Sequence, residues 1–148
     1  MEPQAYEWTC SVCSTAWVLQ SIGIIAPDID QYTVREQVAN ETGIPHCVNP
    51  TYGSMSPQCI IDEFARYGLN AQQYWCTFDQ AYAICSQTTG VINPVGMYHY
   101  MAVRGIDGHD TPTIWVANSA PGYRGIWDDL TRDSFNSLGP VDLIYLVP

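Results

Sequence analysis

The chain of 148 residues has no lysine, and five arginines face 15 carboxylates, for a net charge of −10. Without lysine, Schiff-base chemistry and a phosphate-binding P-loop are excluded. With so little positive charge, nucleic acid and anionic membrane are poor partners for the domain taken alone. No apolar run reaches the length of a transmembrane helix. No basic, apolar leader precedes the first motif, which predicts a cytoplasmic location in the producing cell. Repeats, low-complexity tracts and linkers are also missing, so residues 1–148 read as one domain. What the chain does have is a hydrophobic fraction of 47%, which excludes disorder and is enough for a sizeable core.

Six cysteines, at 10, 13, 47, 59, 76 and 85, admit three readings. The missing leader and the ample core argue against a disulfide framework. A zinc site from Cys10, Cys13, His46 and Cys47 lacks the usual spacing, because its second pair is adjacent in the chain. Cys47, Cys59, Cys76 and Cys85 are therefore expected to be small buried hydrophobes.

The richest stretch is QAYEWTCSVCSTAWVLQSIG, residues 4–23. Thr9 can cap a helix that starts at Cys10; Val12, Cys13, Ala16, Trp17, Leu19 and Ile22 keep helical contact with a core, and Gly23 offers a stop. A thiol at a helix N-terminus meets unsatisfied N–H groups and the positive end of the dipole, which favours its thiolate. Gln4, six residues upstream, can offer an amide N–H to an oxyanion formed there.

Beyond this helix the pattern predicts an exposed helix over 33–43, a long loop over 44–56, and a helix opened by Ser56-Pro57 and stopped by Gly68. That helix has Ile60, Ile61, Phe64 and Tyr67 on its apolar side. A short strand over 69–75 follows, then a helix capped by Thr77. From Gly90 onward the chain reads as strands: GVINPV, YHYMAVRGI, TIWVANS, GYRGIW and DLIYLV, with a short helix, TRDSFNSLG, before the last. A helical first half and an antiparallel second half predict an α+β fold.

In YHYMAVRGI, alternation puts His99, Met101 and Val103 on one face; Ile114, Val116 and Asn118 share a face in the next strand. If the hairpin closes on Gly108-His109, His99 lies directly opposite Asn118, close enough for an amide carbonyl to orient an imidazole. Pro112 cannot donate to the ladder and invites a bulge that would move this register. Cys10 as nucleophile, His99 as general base, Asn118 as its orienting group and Gln4 with the Cys10 backbone N–H as oxyanion donors make a complete acyl-transfer set. Cys13 is the rival nucleophile. Two other classes compete: a thiol-redox protein using Cys10-Ser11-Val12-Cys13, and a catalytically inactive module that binds through its ten tyrosines and five tryptophans.

These residues resemble the papain-like cysteine peptidases, and within them the bacteriocin-processing, C39-like branch. Gln4 stands six residues before Cys10 and Gly23 thirteen after it, as in that pattern. HYMAVRG from His99 fits the family's H-x-x-x-V-x-G strand, and VANSAPGY is similar to the later strand that delivers Asn118. Ser11 departs from the glycine that often follows the nucleophile, and Asn118 replaces the aspartate common in the C39-like branch. The run VANSAPGYRGI…LTRDSFNSLGP is similar to the N-terminal peptidase domain of endolysins from phages of actinobacteria.

The resemblance implies a papain-like fold and a peptidase acting through a thioester on stem peptides of peptidoglycan. It implies a monomer within a larger modular lysin, with a separate wall-binding domain and release to the cell wall. Amidase, transpeptidase and leader-peptide cleavage share that chemistry and stay open. No cofactor or metal is required, and chelators are expected to leave activity intact.

Overall fold

A computed structural model of the chain describes residues 10–25, 56–94, 99–108, 111–117, 127–133 and 140–148. The expected 33–43 helix, the 44–55 part of the long loop, Thr9, Gln4 and Asn118 lie outside the described residues. Three helices and six strands are described: α1 (Cys10–Ser21), α2 (Pro57–Arg66), β1 (Ala71–Cys76), α3 (Phe78–Cys85), β2 (Gly90–Pro94), β3 (Met101–Asp107), β4 (Thr113–Ala117), β5 (Trp127–Thr131) and β6 (Val141–Leu146). The fold is α+β. None of the described helices is long and apolar enough to cross a membrane.

The strands form one sheet in the order β1-β6-β2-β3-β4-β5, with every neighbouring pair antiparallel. β2 and β6 are neighbours inside the sheet, and their close approach depends on Gly90, where a Cβ would press on the backbone of Ile144 and Tyr145.

Each face of the sheet is covered. On one, Val91, Ala102, Ala117 and Ile144 pack with Ala16, Val18 and Leu19 of α1 and with Ile60 and Phe64 of α2. On the other, Ile92, Met101, Val103, Ile114, Val116 and Leu143 pack with Phe78, Ala81 and Cys85 of α3. Burial of each large aliphatic or aromatic side chain contributes about 1.5–3 kcal/mol.

The helix ends follow their capping chemistry. Ser56 accepts the Cys59 N–H at 3.3 Å ahead of Pro57. Thr77 and Gln80 form a reciprocal capping box at the start of α3. Gly23 (φ 78°) and Gly68 (φ 76°) take the left-handed conformation just past α1 and α2. α1 is closed in on more sides than the expected stripe, since Ser11, Ser14 and Thr15 are also buried. Ile22, expected in the core, is 41% exposed past the helix end.

Three expectations need correction. Closure on Gly108-His109 would set Val103 opposite Ile114, but Val103 faces Val116 and Ala102 faces Ala117. The register also shifts between Val103 and Gly105, so the irregularity falls at Arg104 and not at Pro112. Arg104 stacks its guanidinium 4.7 Å from the Trp115 ring centre, an attraction that holds the extra residue on the sheet. Of the expected strand GYRGIW only Trp127 is among the described residues, and it opens β5, WDDLT, which pairs along all of β4.

Cys59 is the third correction: it is buried as expected but sits in a disulfide, whose partner is none of Cys13, Cys76 and Cys85. Composition does not decide which sulfurs can meet; given an oxidant, the geometry of the fold does. Cys76 and Cys85 are free and buried, as expected.

Candidate active site

Position 10 is the first residue of α1, the helix start predicted for the nucleophile. Cys13, the rival, is a free thiol at 3% exposure, closed off from a substrate carbonyl. His99 is half-buried and lies just before β3, which begins at Met101, three residues later than the sequence suggests. This difference matters, because Met101 and Val103 pack on the α3 side of the sheet. Strict alternation would carry His99 to that side, away from α1. Residues ahead of the strand are released from that constraint.

Three hydrogen bonds fix the segment that carries His99. The His99 N–H donates to Oδ1 of Asn93 at 2.9 Å. The Ser14 hydroxyl, on α1, donates to the Tyr100 carbonyl at 3.0 Å. The Tyr100 hydroxyl donates to Oδ2 of Asp142 at 3.0 Å, and Gln73 Nε2 donates to Oδ1 of the same carboxylate at 2.8 Å. Asp142 is only 2% exposed, so both donors are needed to hold its charge inside the fold.

Ser14 stands one turn after position 10, and residues four apart share a helix face about 5–6 Å apart. The face of α1 that starts at Cys10 is thereby tied to the residue next to His99. Gln4 and Asn118 lie outside the described residues. Asn118 is thus unplaced relative to His99, and the observed register does not reproduce the direct cross-strand pairing on which its assignment leaned.

Ser14, Asn93 and Asp142 were not singled out from sequence. Signals for them exist. Ser14 is a hydroxyl four residues after the candidate nucleophile in a helix of small residues, and Asn93 and Asp142 are polar interruptions of the apolar strands GVINP and VDLIYL.

Two further thiols, Cys76 and Cys85, are kept protonated. Cys76 is pushed up to about 11, by burial first and then by the Asp142 charge; Cys85 is pushed up to about 12, by burial and then by Cys76. Neither suits a nucleophile at neutral pH. A surface cavity of about 410 Å³ is lined by Ile106, Asp107, Gly108 and Trp115, at the far end of β3 from His99.

No family model matches the chain, and neither does any curated protein sequence. Among solved structures the chain is similar to a double glycine motif protease from an AMS/PCAT transporter, in complex with the leader peptide, with a TM-score of 0.67 and 17% identity over 98% of this chain and 89% of that one. The two chains share an α+β fold.

Proposed function

We propose that the protein is a cysteine peptidase that cuts a peptide bond through a thioester, with Cys10 as nucleophile and His99 as general base. The observation that carries this reading is the 3.0 Å bond from Ser14 to the carbonyl of Tyr100, which ties the Cys10 face of α1 to the segment holding His99. The similarity in fold to a double-glycine peptidase supports the same class of chemistry.

In this reaction His99 removes the Cys10 proton and the thiolate attacks the scissile carbonyl. Gln4 and the Cys10 backbone N–H stabilise the oxyanion. The carbon–nitrogen bond then breaks, the imidazolium returns its proton to the leaving amine, and a thioester remains. Water, deprotonated by His99, hydrolyses the thioester and restores the thiol. Asn118 orients the imidazole. No step calls for a metal or cofactor.

For substrate, we propose the stem peptides of peptidoglycan, on the sequence resemblance to phage lysin peptidase domains. The structural neighbour was crystallised with a leader peptide, so a double-glycine leader peptide is the rival substrate. The test is mass spectrometry of purified peptidoglycan and of a synthetic double-glycine peptide, each incubated with wild type and with Cys10→Ala. New amino termini in peptidoglycan, absent with Cys10→Ala, would support the reading. Cleavage of the leader peptide alone would move the substrate but keep the mechanism, and cleavage of both substrates by Cys10→Ala would sink the nucleophile assignment.

A further inference from the structure

The β2–β3 ladder stops early. Val91 pairs with Ala102 and Ile92 with Met101, and the next pair in that register would be Asn93 with Tyr100. Instead the side chain of Asn93 takes over, and its carbonyl oxygen accepts the N–H of His99 at 2.9 Å. A backbone donor leaving a sheet needs a partner. A side-chain acceptor supplies one without imposing the alternation of a strand.

Asn93 stands two residues from Val91, on the face that α1 covers, and opposite Asp142 of β6. The bond therefore draws the His99 backbone from the face where α1 lies. Tyr100 is held at the same time through its carbonyl by Ser14 and through its hydroxyl by Asp142. His99 is thus bracketed by a fixed residue after it and a fixed acceptor on its own N–H.

We propose that Asn93 is a positioning residue for His99: its amide carbonyl sets where the chain leaves the sheet and so aims the imidazole at the start of α1. This inference rests on the peptidase reading above. A base displaced by about 1 Å can lose on the order of 100-fold in rate. Removal of the acceptor is therefore expected to lower kcat by about 10- to 100-fold while KM stays within about threefold, because Asn93 acts through His99 and not on substrate.

The experiment compares wild type, Asn93→Ala and Asn93→Asp, the last keeping an acceptor oxygen at the same reach. Hydrogen exchange of the His99 amide reports the bond itself, and kcat and KM on the cleaved peptide report its consequence. Asn93→Ala is expected to speed His99 exchange at least about tenfold and to depress kcat, with both restored toward wild type in Asn93→Asp. An active wild type whose kcat and His99 exchange are unchanged in Asn93→Ala overturns the inference alone. If Asn93→Ala does not fold, Asn93→Asp decides: loss of His99 protection or of kcat there overturns it. A wild type that turns over no peptide overturns the peptidase reading, and this inference with it.

Discussion

Replacing Ser14 by alanine tests the join between the two halves of the candidate site. Ser14 has no exposed surface, and its hydroxyl donates to the Tyr100 carbonyl at 3.0 Å, linking positions 86 residues apart in sequence. Loss of that donor from a partly buried carbonyl costs about 1–3 kcal/mol. Alanine is a better helix former than serine by roughly 0.5 kcal/mol, which offsets part of the loss. The net expectation is a destabilisation of about 1–2 kcal/mol, or a fall in Tm of about 2–8 °C for a domain of this size. Urea unfolding checks it: the midpoint should fall with the slope unchanged. Peptide hydrolysis, measured where both proteins are folded, should lose about tenfold or more in kcat, because the helix start is no longer tied to the His99 segment. A stable Ser14→Ala protein with wild-type kcat would refute the reasoning that this bond builds the site.

Gly90→Ala should cost about 3 kcal/mol or more, since its Cβ would sit 2.7 Å from the Tyr145 Cα on the neighbouring strand β6; a folded, soluble protein with the wild-type circular dichroism spectrum and Tm would contradict this. Thr77→Ala removes the capping box of α3 and should lower stability by about 1 kcal/mol, read from the urea midpoint. Cys76 and Cys85 titrate above the usual thiol value of 9.0 when folded. The native state therefore holds more protons than the unfolded chain above about pH 9. Stability should be intact below that pH and fall as pH rises toward about 11 and about 12, by at most about 1.4 kcal/mol per unit for each thiol. Cys85→Ala should flatten the slope of Tm against pH in that range.

The parts of the fold that local chemistry determines were legible. Ser56-Pro57, Thr77, Gly23 and Gly68 mark helix ends through caps and left-handed turns, and GVINP and DLIYL read as strands because their apolar runs are short and β-branched. The register of β3 on β4 was not legible. The irregularity at Arg104 is held by stacking on Trp115, a cross-strand contact that no spacing announces. Glu63 was unremarkable in sequence, yet its side chain is fully buried and paired to Arg66 at 3.1 Å on the next helical turn. For the candidate site, the sequence supplied the helix start at Cys10 and the histidine beside β3. It did not supply the scaffold between them, because Ser14, Asn93 and Asp142 matter through long-range bonds that only the folded topology creates.

The most direct test of the account is the alkylation rate of each cysteine against pH, followed by mass spectrometry on the gently reduced native protein, in wild type and in His99→Ala. The account predicts that Cys10 reacts fast below neutral pH and slows sharply without His99, while Cys13, Cys76 and Cys85 stay inert in both. A Cys10 indifferent to His99, or a Cys13 that shows the His99-dependent rate instead, would contradict it.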